Sequence, residues 1–90
     1  MYAAIMSLRI QADRASEAAA AFTAVLLPRV AGSEGFVAGY WVDPVDGEGM
    51  GFILFETREQ AAAAMPPAAD WSAPGVVIGG VEFRRVAASA

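Results

Sequence analysis

The sequence predicts an α+β domain of ferredoxin-like βαββαβ plan: a four-stranded antiparallel sheet with two helices on one of its faces. Three observations predict it. Apolar stretches at strand spacing lie at 2–10, 36–42, 50–56 and 76–86. Alanine-rich stretches with helical spacing lie at about 14–27 and 58–65, between the first and second strands and the third and fourth. Proline and glycine punctuate the joins. Ninety residues, 1–90, make one domain with little room for a second core.

In the first strand one parity is wholly apolar (Tyr2, Ala4, Met6, Leu8, Ile10), while the other carries Ser7 and Arg9. Asp13 offers an N-cap carboxylate to the next element, a helix whose stripe is Ala15, Ala18, Ala19, Phe22, Val25 and Leu26. The opposite face, with Ala21, Ala24 and Leu27, is also poor in charge, so this helix is expected to touch something on more than one side. Pro28 cannot continue the hydrogen-bond ladder and predicts a kink or a fresh short turn over 28–31. A loop through Gly32, Ser33, Glu34 and Gly35 leads to the second strand.

Asp43-Pro44-Val45-Asp46-Gly47 reads as a hairpin turn, because Asp-Gly tolerates the positive φ such turns need. Thr57 and Gln60 have capping-box spacing at the start of the second helix, and Pro66-Pro67 stops it. Residues 68–75 read as irregular and hold Trp71. Gly79-Gly80 inside the last strand predicts a bulge or a close backbone approach. The tail 87–90 is expected to fray.

Composition then raises a question of burial. Apolar residues are 57% of the chain, with nine glycines besides. That exceeds the usual share of about 45–50%, even with glycine counted. Two helices cover one sheet face only, and neither face looks made for water. By strict alternation the second strand shows Phe36, Ala38, Tyr40 and Val42 on one side and Val37, Gly39, Trp41 and Asp43 on the other. The third shows Met50, Phe52 and Leu54 against Ile53 and Phe55; the fourth, Val76 and Ile78 against Val77, Val81 and Phe83. The uncovered face amounts to roughly 300–400 Å² per subunit. At about 25 cal/mol per Å² its burial is worth roughly 8–10 kcal/mol before association costs. The expected partner is therefore a second copy of the chain, a homodimer with the sheets face to face.

The longest near-apolar run, residues 18–27, is far short of the roughly 20 residues that span a bilayer. No basic region precedes an apolar one at the N-terminus, so no membrane association is expected and the location read from the sequence is cytoplasmic. Cys, His, Lys and Asn are absent, which removes thiolate chemistry, sulfur-ligated metals and the usual neutral-pH acid–base group. No metal site and no cofactor is expected. The net charge of −4, with no basic stretch, argues against nucleic acid; Arg84 and Arg85 alternate across a strand and make no patch.

Beyond these elements, the chain resembles the dimeric α/β-barrel superfamily, in particular small proteins like the antibiotic-biosynthesis monooxygenases. The likeness rests on Leu26-Leu27-Pro28-Arg29-Val30 leading to Gly35-Phe36, and on Gly39-Tyr40-Trp41. It extends through Gly51-Phe52-Ile53-Leu54-Phe55-Glu56-Thr57-Arg58-Glu59 and the Gly-Val-Glu-Phe ending at Phe83. The resemblance implies a homodimeric α/β barrel with a pocket between sheet and helices in each subunit. Enzymes of that superfamily oxidise polyketide-like aromatics without a cofactor, degrade haem or isomerise lactones. Haem-degrading relatives rely on Asn, Trp and His, and the polyketide monooxygenases on an Asn and on a Trp in the second helix. Here Asn and His do not occur, and the nearest Trp, Trp71, lies beyond Pro66-Pro67.

The candidate ligand-binding residues are Tyr40, Trp41, Trp71, Arg9, Met50 and Phe52; no catalytic residue is assigned. Tyr40 and Trp41 point to opposite faces, and each serves either as a pocket wall or as core and interface packing. Trp71 is a lid over a pocket mouth or a plug for the end of the core. Tyr2 and Met50 offer apolar wall, or filler. Arg9 holds an anionic ligand group or pairs with Glu82 across strands. Ser7 has no His or Lys to activate it as a nucleophile. Asp43, Asp46 and Glu48 match no calcium-loop spacing and read as a solvated turn. Three functions stay open: a protein binding a small apolar or aromatic molecule, extending to cofactor-free monooxygenase-like chemistry; a non-catalytic sensor using the same pocket; and a structural dimer with no pocket.

Overall fold

The computed structural model describes residues 1–65 and 75–90. Strands β1 (Tyr2–Ile10), β2 (Phe36–Val45), β3 (Glu48–Phe55) and β4 (Val76–Arg85) form one antiparallel sheet in the order β2-β3-β1-β4. With its helices between β1 and β2 and between β3 and β4, the chain has the ferredoxin-like βαββαβ fold. The β2–β3 hairpin closes on Asp46 (φ 53°) and Gly47 (φ 80°), the positive-φ pair that matches the twist of the flanking strands.

The first helical arm begins with a single 3₁₀ turn, Ala12–Arg14, and makes no side-chain cap; Asp13 lies inside that turn instead of capping the helix. The arm continues as α1 (Ala15–Ala21), a π-helical segment (Phe22–Leu26) and α2 (Leu27–Ala31) without a break. The fresh short turn expected over 28–31 is present as α2, with Pro28 in its first turn and the π segment joining it to α1. The wide turn sends the Leu27 N–H to the Phe22 carbonyl, which relieves the clash a proline ring makes with the carbonyl four residues back. The second arm is α3 (Arg58–Ala64), whose Gln60 N–H is accepted by the Thr57 hydroxyl at 3.2 Å. Only this half of the capping box forms: the Gln60 side-chain oxygen is buried with no hydrogen-bond partner, against Gly35.

The core packs Ala4, Met6 and Leu8 of β1 and Ile53 and Phe55 of β3 against Val30, Ala61 and Met65. Two irregularities decide which other residues join it. A register shift between Phe36 and Ala38 turns Phe36 to the helix side, edge-on to Phe55 at 6.2 Å. A second shift falls where expected: Gly79 and Gly80 lie at the step between the Ser7–Gly80 and Leu8–Ile78 pairs. A side chain at Gly79 would meet the Ser7 hydroxyl at 2.7 Å. The extra residue puts Val76, Ile78, Val81 and Phe83 all against the core. The alternation read from the sequence is therefore corrected at Phe36, Val81 and Phe83.

Candidate functional site

On the face away from the helices, register places Ala3, Ile5, Ser7 and Arg9 beside Met50, Phe52 and Leu54, with Ala38, Tyr40 and Val42 beyond them. Tyr40 is 64% exposed, Val42 52%, Val77 51% and Met50 43%, so no element among the described residues covers this surface. Its charges are paired at the rim: Arg9 with Glu48 at 2.7 Å and Arg84 with Glu82 at 2.6 Å. Arg9 does not reach Glu82, which stands beside Ile5, two residues along from Ser7.

The other face holds a cleft of about 630 Å³ between α1 and the sheet. Its origin is steric. Ala15, Ala18 and Ala19 look across at Leu8, Ile10, Gly49 and Val76, and methyl groups facing a glycine cannot close the gap between helix and sheet. The buried cluster gathers instead under α2 and α3. Phe22 and Trp41 end the cleft, edge to face with centroids 5.2 Å apart. Trp41 lies flat because two strand positions beneath it have no side chain. A Cβ on Gly39 would fall 2.7 Å from the indole's outer edge, and one on Gly51 2.7 Å from its Cδ1 and Nε1. The indole N–H is buried there without a hydrogen-bond partner.

The mouth is formed by the hairpin, at Val42, Asp43, Pro44 and Gly47, and by Thr23. Two backbone bonds fix it: the Ile10 N–H donates to the Gly47 carbonyl at 2.7 Å, and the Gln11 N–H to the Gly75 carbonyl at 2.9 Å. Asp43 is the single charged side chain among the described lining residues, and it makes no ion pair with them. A shallower hollow of about 430 Å³ lies at Ser33, Glu34, Glu59, Gln60, Ala63 and Ala64, remote from the aromatic pair.

The six sequence candidates therefore do not converge. Trp41 lines the cleft. Tyr40, Met50 and Phe52 lie on the opposite sheet face with Arg9 at its end. Trp71 lies outside the described residues. Sequence reasoning placed Ala15, Ala18, Ala19 and Phe22 on one helix stripe but missed that the stripe faces a hollow. The glycines Gly47 and Gly49 opposite it were the available signal. It also took Asp43 as turn chemistry alone. Among the described residues no group of three His, Cys, Asp or Glu could hold a metal ion, and no helix is long and apolar enough to cross a membrane. No protein-family model matches the chain, and no curated protein or solved structure is significantly similar to it.

Proposed function

We propose that this protein binds a small apolar or aromatic molecule in the cleft between α1 and the sheet. The cleft itself carries the reading: about 630 Å³, walled by alanine methyls, Leu8, Ile10 and an aromatic corner, with polar groups confined to its mouth. Small-molecule sites of about 300–1,000 Å³ have this character. Of the described lining side chains only Asp43 ionises, so binding without chemistry is favoured over cofactor-free oxygenation. The test is titration with 1-naphthol by calorimetry, on the native chain and on Ala15→Leu, which fills the cleft. Saturable binding weakened more than tenfold by the substitution supports the proposal; no binding to the native chain rejects it. Oxygen consumption in the same mixture would turn the binding reading into a monooxygenase-like one.

The protein is proposed to work as a homodimer through the open sheet face. Tyr40, Val42, Met50 and Val77 leave apolar surface on it that no element among the described residues covers, next to Ile5, Phe52 and Leu54. Sedimentation equilibrium at micromolar concentration tests this, and a single-chain mass would reject it.

A further inference from the structure

We infer that the ligand of this cleft carries a positively charged amine, with its apolar body inside and its ammonium group at the mouth beside Asp43. The inference rests on the binding reading above and narrows it to a chemical class. Trp41 and Asp43 stand two residues apart on β2, whose pairing with β3 shifts register between Val42 and Val45. Both line the cleft. A lone carboxylate on an otherwise apolar lining selects a cation by its charge.

The surrounding charges strengthen the selection. Each arginine near this end of the sheet is already matched, Arg9 to Glu48 and Arg14 to Glu17 at 2.9 Å. Asp43 and Asp46 of the hairpin are matched by none of the ion pairs among the described residues. The field at the mouth is thus negative, and among the described residues no cation lines the cleft to receive a carboxylate or phosphate. An apolar acid would have to place its charge beside Asp43. An apolar alcohol would be tolerated, with Thr23 as a hydrogen-bonding partner. An apolar amine gains from the carboxylate.

Three probes with one ring system separate these cases: naphthalen-1-ylmethylamine, naphthalen-1-ylmethanol and 1-naphthoate, each titrated calorimetrically into the native chain at low ionic strength. The amine is expected to bind at least about fivefold more tightly than the alcohol, and the naphthoate most weakly. Asp43→Asn should abolish the preference, so that the amine and the alcohol bind the variant with equal affinity. Asp46→Asn makes the same charge change on a residue that does not line the cleft and should preserve most of the preference. If the alcohol binds as well as the amine, or the preference survives in Asp43→Asn, the charge inference is overturned and the apolar cleft stands. If none of the three binds saturably, the binding reading and this inference both fall.

Discussion

Gly51→Ala adds one methyl group, and the structure says where it goes. The new Cβ would stand 2.7 Å from Cδ1 and Nε1 of Trp41 and 3.0 Å from Cγ of Met6. Carbon atoms in comfortable contact stand about 3.5–4.0 Å apart, so the indole must rise by roughly 1 Å or Met6 must leave its place. Neither move is free. Trp41 is held from above by the edge-to-face contact with Phe22, and Met6 is almost fully buried. Overpacking of this kind costs about 1–3 kcal/mol, against which the stiffer unfolded chain of Ala returns about 0.4–1 kcal/mol. The predicted net loss is about 1–2 kcal/mol, which for a domain of this size lowers Tm by roughly 5–10 °C. Gly49→Ala is the matched control, on the same strand and the same face. Its Cβ would meet nothing closer than 3.8 Å, and its φ is not in the left-handed region. It should leave Tm unchanged or raise it by a few degrees. Thermal unfolding followed by far-ultraviolet circular dichroism, at one protein concentration for both variants, reads the difference. If Gly51→Ala is as stable as Gly49→Ala, the indole does not lie on β3 as described, and the account of the cleft's end wall is wrong.

Phe52→Glu places a carboxylate in the middle of the open sheet face; the proposed dimer should weaken by at least about 100-fold, measured by sedimentation equilibrium, with the monomer's circular dichroism retained. Thr57→Ala removes the hydroxyl that accepts the Gln60 N–H and should cost about 1 kcal/mol, a fall in Tm of roughly 5 °C. Glu48→Gln breaks the ion pair with Arg9, whose two side chains are 66% and 64% exposed, and should change urea-unfolding stability by less than about 1 kcal/mol.

How far the sequence could be read depended on whether the informative pattern was local. The strands and the Thr57 cap rest on short-range chemistry and stand where it placed them, while the hairpin is tighter than the turn read over 43–47: β2 runs on to Val45, β3 begins at Glu48, and only Asp46-Gly47 turn. The exchange of faces at Val81 and Phe83 was implicit in Gly79-Gly80, because a bulge there shifts every later residue by one. The shift after Phe36 carries no such mark: neither Phe36 nor Val37 is a glycine, and the pull of the Phe55 ring is a tertiary contact invisible along the chain. Pro28 shows the same limit from the other side. Its local preference to end a helix is real, but a π turn meets it at the cost of one wider loop of backbone, and Val30 is then buried in the core.

The cleft was hardest to foresee because it arises from what is missing on two elements far apart in sequence. Ala15, Ala18 and Ala19 look like ordinary helix formers, and Gly47 and Gly49 like the end of a hairpin. Only their facing each other creates a hollow. The consecutive aromatics Tyr40 and Trp41 tie this geometry to function. The strand's pleat sends them to opposite faces, Trp41 into the cleft and Tyr40 onto the open sheet. A ligand and a second subunit therefore need not compete for the same surface. β2 links the two faces all the same, since Val42 belongs to the open face by register and also borders the cleft. A subunit seated on Val42 would limit how far this edge of the cleft can move. Dimerisation and ligand affinity should then be coupled through β2, and Phe52→Glu, at a position that does not line the cleft, is the variant in which a change in probe affinity would report that coupling.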